Sequence, residues 1–217
     1  MIAAMTSFFP PVEPWGVTPE DLDDTVPESL PPMPAWNGPP WDVRPTVVAL
    51  SAQLGRSAST AVLLEGARVY PTGVALRFTV VLGPTTRRER HRVIAELDIT
   101  HGRGGLALAL PVGGLRWGIE HADGRRVTSL DGSAWSDLPE DVDPDLWVPD
   151  RPVMQPLARA AIYGGTWSRE VWLWPVPPAG PMAVVCAWPD RGIEETRTVL
   201  DATGLSSASA SASALWP

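Results

Sequence analysis

The chain has no lysine, a single cysteine and only three histidines among 217 residues. Each scarcity removes a class of chemistry. With Cys186 alone, no intramolecular disulfide can form, which suits a reducing compartment. The lack of lysine leaves all 17 basic residues as arginine and points to a GC-rich coding source, not to a function. No apolar run approaches the roughly 18 residues of a membrane-spanning helix. The opening stretch MIAAMTSFFPPVEPW has no basic segment ahead of its short apolar runs, unlike a secretory signal. A cytoplasmic protein with no membrane contact is the resulting expectation. A formal net charge of −8 repels phosphate backbones, so no nucleic-acid partner is expected either.

Proline, glycine and tryptophan are plentiful, at 25, 19 and 11 residues, and they are unevenly spread. Residues 1–45 are crowded with proline, which fixes φ and removes backbone donors, so this zone reads as a Pro/Trp-rich extended or disordered arm. The other reading is that Trp15, Trp36 and Trp41 pin the arm to the folded domain, because large aromatics are costly to leave in water.

From Thr46 the pattern changes to period two. Val74, Leu76, Phe78, Val80 and Leu82 share one face of a strand, and 61–70 is its partner across Pro71-Thr72-Gly73. Val93, Ala95, Leu97 and Ile99 continue the alternation and are read as the next strand. Leu106, Leu108 and Leu110 suggest another. Leu115, Trp117, Ile119 and His121 share a face before Asp123-Gly124, a favoured hairpin turn, leads into 126–130. About eight short strands with Gly/Pro turns predict a mostly β fold over 46–200. The form expected is an antiparallel two-sheet sandwich or flattened barrel. The acidic Pro-rich loop at 131–156 is longer than a structureless connection should be, so either it carries structure packed down by Trp135 and Trp147 or it is an insertion with a task. Residues 201–217 read as a short C-terminal helix, or a Ser/Ala tail, anchored by Leu205, Leu215 and Trp216.

No catalytic, cofactor-binding or metal-ligating set is expected. Cys186 lies between Val185 and Ala187, the setting of an inert thiol. His101 near Asp98 and His121 near Asp123 could converge on a cation, but the preferred reading is ordinary polar residues where strands meet turns. No serine sits in a nucleophile elbow. Glu194 and Glu195, adjacent on a strand, point to opposite faces and cannot act as an acid–base pair. The glycines at 101–105 and 163–167 lack phosphate-loop spacing and read as turns. The run Arg87-Arg88-Glu89-Arg90-His91-Arg92 is placed at a hairpin tip or edge-strand start. It pairs with the chain's own acids at 137–150, anchors an acidic partner, or is simply solvated.

Residues 171–189, VWLWPVPPAGPMAVVCAWP, read as an aromatic β-hairpin folded at Pro177-Pro178-Ala179-Gly180-Pro181. Trp172 and Trp174 share one face, and Trp188 follows on the next strand. Pointing inward they fill the core, the preferred reading. Pointing outward they form a platform for sugar rings, proline-rich segments or another subunit. The YPTG turn at 70–73, WLWPVPPAGP at 172–181, CAWP with GIEET at 186–196 and the terminal LWP together resemble uncharacterised proteins of actinobacteria. That resemblance implies a source and no activity.

The expected function is a non-enzymatic protein-interaction or assembly module whose partner is another protein or a second copy. Its candidate surface is Trp172, Trp174, Trp188, Trp36 and Trp41 with Arg87, Arg88 and Arg90. The alternative is a small-ligand or carbohydrate-binding sandwich, or a hydrolase on the same scaffold, using the tryptophans as its platform.

Overall fold

The computed structural model describes residues 33–101, 111–157 and 159–216. The strand expected at 106–110 and the arm up to residue 32 lie outside them. In chain order the elements begin with β1 (Val43–Arg44), β2 (Thr46–Arg56), β3 (Thr60–Val69), β4 (Val74–Leu82) and α1 (Arg87–His101). Then come β5 (Arg116–Glu120), β6 (Arg126–Thr128), β7 (Val153–Pro156), β8 (Ala161–Tyr163) and β9 (Thr166–Trp174). β10 (Pro181–Trp188), β11 (Ile193–Asp201), α2 (Thr203–Ser209) and β12 (Ser213–Ala214) complete the chain.

The strands form two main antiparallel sheets. One has the order β2-β3-β4-β9-β7, with β8 also on β9, and the other has the order β11-β10-β5-β6. β1 and β12 make a separate ribbon. The alternating apolar rows meet between the sheets. Val74, Leu76, Phe78 and Val80 of β4 and Trp167, Val171 and Leu173 of β9 face Trp117 and Ile119 of β5 and Val184, Cys186 and Trp188 of β10. Phe78 stacks on Trp117 at 4.7 Å. The fold is therefore a mostly β, sandwich-like structure closed by a short C-terminal helix. Leu205 and Ala208 bury that helix, whereas Leu215 and Trp216 are exposed.

Three local expectations are overturned. Residues 87–101 are an α-helix, not a hairpin tip and a strand. Val93 and Leu97 are buried at i and i+4, but Ala95 and Ile99 of the supposed strand face are exposed, as a 3.6-residue period requires. Thr86 starts the helix by accepting the Glu89 amide on its hydroxyl at 3.2 Å.

The second correction concerns 171–189. β9 and β10 do not pair with each other: β9 pairs with β4, β7 and β8, and β10 with β5 and β11. Three prolines between Trp174 and Gly180 withhold amides from a tight turn, so the corner carries the chain from one sheet to the other. Third, residues 33–45 belong to the folded unit, which begins at Met33.

Candidate functional site

Trp172 and Trp174 project from β9 on the face opposite Val171 and Leu173, away from the sandwich interior. They are nevertheless covered. Tyr70 meets the Trp172 ring edge-on at 5.6 Å. The Trp172 indole donates to the Ala35 carbonyl at 3.1 Å. Gly73 leaves the ring its room, since a Cβ there would lie 2.4 Å from Cζ2. Beside it, Trp36 is gripped edge-on by Trp135 at 4.6 Å and Trp147 at 5.2 Å. The Trp36 indole donates to the Trp147 carbonyl at 2.9 Å, and Ala134, Val153 and Trp174 complete the cluster. Segments from the arm and from the acidic loop thus roof the outer aromatic face.

The consequence for the expected surface is direct. Trp172 is 0% exposed, Trp36 and Trp188 are 1% exposed, and Trp174 is half-buried. Trp172, Trp36 and Trp188 are core residues, so no platform built on them is open to a sugar ring or a partner. Trp41 alone of this group is exposed, at 66%.

The arginines are placed differently. Helical spacing puts Arg87, Arg90, His91, Ile94, Ala95 and Asp98 on one face of α1, opposite the β8–β9 turn. With Ile162 of β8 and Gly164 of that turn they line a cleft of about 490 Å³. Gly164 adopts φ +59, which favours glycine, and Thr166 ties the turn by donating to the Tyr163 carbonyl at 2.7 Å. Tyr163 stands at its tip, 87% exposed.

The cleft is basic at the helix N-terminus, apolar in the middle and acidic at Asp98. Glu89 turns away and pairs with Arg92 at 2.9 Å and Arg191 at 2.7 Å, interactions that hold its carboxyl below the usual range, the Arg92 hydrogen bond most of all. Arg87, Arg88 and Arg90 form no ion pair among the described residues. The pairing with 137–150 expected for them is absent there, because Asp137 binds Arg151 at 2.7 Å instead. Arg88 is exposed and does not line the cleft. The Arg90 Nε is enclosed without a hydrogen-bond partner among the described residues.

At the inner end of α1 the His101 Nε2 lies 3.0 Å from the Leu115 carbonyl, with the rings of Trp117 and Trp167 at 4.6 and 6.2 Å. Burial pushes the imidazole down to about 4, so it is neutral at pH 7. Arg169 lies on the inner face of β9, opposite Phe78 and 3% exposed. Among the described residues no three His, Cys, Asp or Glu side chains gather as a metal site. Burial raises the Cys186 thiol to about 12, which leaves it protonated and unreactive.

A second depression, of about 430 Å³, lies on the outer face of the four-stranded sheet over Gly118, Val185 and Ala187. Its Glu120 is already ion-paired with both Arg126 and Arg197, so this surface satisfies most of its own charge.

The sequence singles out Arg87 and Arg90 by their clustering but not the cleft, because Gly164 reads only as part of a turn at 163–167 and Ile162 carries no signal of its own. Nor does it single out Arg169. A signal was available: Trp167, Arg169, Val171 and Leu173 share one strand face, so the arginine occupies an otherwise apolar row. No family model, curated protein or solved structure matches the chain.

Proposed function

We propose that the protein is a non-enzymatic interaction module of the cytoplasm whose α1 cleft docks an acidic segment of a protein partner. One observation carries this reading: Arg87, Arg90 and His91 converge on an open cleft beside Ile94, Ala95 and Ile162. Neither arginine is matched by a carboxylate of the described chain. An exposed ion pair is worth only roughly 0–1 kcal/mol. Arg90 is half-buried, so a carboxylate paired with its guanidinium is less screened by water and salt than one on a fully exposed arginine.

The whole-chain charge of −8 opposes long-range attraction of acids. Recognition therefore depends on short-range pairing and selects segments that set acidic residues beside apolar ones. A labelled peptide rich in glutamate and leucine tests this by fluorescence anisotropy. Reversing both charges, Arg87→Glu with Arg90→Glu, should weaken binding at least roughly tenfold. Raising salt from about 50 to about 300 mM should weaken the wild type as well. Unchanged affinity in the double variant, or indifference to salt, would refute the reading.

A further inference from the structure

The α1 cleft changes character along its length. Arg87, His91, Ile94 and Asp98 follow one another at i, i+4, i+7 and i+11, so they form a single stripe down the helix. Arg90 widens the stripe at its basic end and Ala95 at its middle, and Ile162 lies on the other wall. Three turns of helix thus pass from basic to apolar to acidic, and all of these side chains border the same open space.

Helix stability does not account for this order. A helix dipole favours acids near the N-terminus and bases near the C-terminus, whereas Arg87 and Arg90 stand in the first turn and Asp98 in the last. Pairing within the chain does not account for it either. Arg87, Arg90 and Asp98 form no ion pair among the described residues. The charge order is therefore free to be read by something that enters the cleft.

The helix sets the spacing that such an occupant needs. Along the axis, Asp98 lies about 12 Å beyond Arg90 and about 16 Å beyond Arg87, at a rise of about 1.5 Å per residue. An extended chain advances about 3.3 Å per residue and turns alternate side chains to one side, so its residues i and i+4 are about 13 Å apart with i+2 between them. A cleft of about 490 Å³ drawn out over that length is too narrow for a second helix, which is about 10–12 Å across.

We infer that the docked segment is an extended stretch of the form acid–x–apolar–x–base. Its carboxylate meets Arg87 and Arg90, its apolar side chain packs on Ile94, Ala95 and Ile162, and its basic group meets Asp98. This rests on the docking reading above and adds to it a base, a spacing and a register. A purely acidic run would set like charge against Asp98, and a segment laid the other way would mismatch both ends.

Amide chemical-shift titration of the full chain tests it, with short Gly/Ser peptides carrying Glu, Leu and Arg at i, i+2 and i+4. Replacing the peptide arginine by glutamine should weaken binding by about threefold to fivefold. Moving it to i+3 keeps the peptide's net charge but turns the side chain away from the cleft, and should lose as much. Asp98→Asn should weaken the arginine peptide by the same factor and leave the glutamine peptide unchanged. Asp98→Arg should reverse the preference, toward a peptide with Glu at both i and i+4. The peptide series on the unaltered chain decides the matter even if an Asp98 variant folds poorly. If the arginine, glutamine and displaced peptides bind equally, and all are weakened by Arg87→Glu with Arg90→Glu, the bipolar register is overturned while acidic docking stands. If none of the peptides binds, both fall.

Discussion

Replacing Trp36 by alanine probes the roof over the outer aromatic face. The indole is fully buried, packs edge-on against Trp135 and Trp147, and donates its N–H to the Trp147 carbonyl. Truncating a buried tryptophan costs roughly 3–5 kcal/mol, because the transfer free energy is lost and a cavity remains. The aromatic pairs, at roughly 0.5–1.5 kcal/mol each, and a buried hydrogen bond of about 1 kcal/mol place Trp36→Ala in the upper part of that range. For a chain of this size each kcal/mol lowers the midpoint by roughly 2–4 °C, so a fall of about 8–16 °C is expected. Unfolding of the full chain followed by far-ultraviolet circular dichroism measures it without relying on tryptophan emission. Trp41→Ala is the control: its ring is exposed, and the change should cost less than about 0.5 kcal/mol. Acrylamide quenching should also rise in Trp36→Ala, because Trp172 is bonded to the neighbouring Ala35 carbonyl and loses its cover. If Trp36→Ala unfolds within about 1 kcal/mol of the control, residues 33–44 do not contribute to the fold as described here.

Two further outcomes follow from buried groups. His101 has a folded value of about 4, below its ordinary 6.5, because burial penalises the imidazolium. The unfolded chain therefore takes up the proton first. Its contribution, roughly 3 kcal/mol, is full above about pH 6.5 and is lost as pH falls toward 4; burial of His121 acts in the same direction. Urea unfolding of His101→Gln should show a flatter pH dependence across that window, and a slope equal to wild type would contradict the assignment. Gly73→Ala should destabilise by roughly 1–3 kcal/mol. Its Cβ would meet the Trp172 ring at 2.4 Å and the Leu173 carbonyl at 2.8 Å, whereas Gly132→Ala meets nothing and should be neutral. Equal midpoints for the two alanine variants would show that the Trp172 ring has room to move.

The strands around Phe78, Trp117 and Val184 were legible because side-chain alternation and turn chemistry are local. The turn at Asp123-Gly124 does join β5 to β6, but not as a two-residue loop: Gly124 alone takes a positive φ, +83, and its amide bonds the His121 carbonyl at 2.9 Å, so the turn is centred on Ala122 and Asp123. The helix at 87–101 was equally local but hidden. Val93 and Leu97 fit a period of two and a spacing of i, i+4 alike, and the Thr86-x-x-Glu89 start signal decides between them.

Other features were beyond local reading. Alternation assigns Trp172 and Leu173 to opposite faces of one strand but does not say which face meets the second sheet. That depended on β9 pairing with β4, and on residues 33–44 folding back to cover the other side. The same holds for the site. Arg87 and Arg90 are neighbours along the helix, and their clustering is evident in the chain itself. The cleft exists because the β8–β9 turn is brought opposite them, and Arg169 is buried because its face of β9 is turned to the sandwich interior. Composition and periodicity were thus enough to specify a β sandwich rich in tryptophan, because backbone alternation and turn preference act over a few residues. Which tryptophans are covered, and which charges are left without partners, was decided by contacts between distant segments, because burial belongs to the assembled fold and to no single stretch of chain.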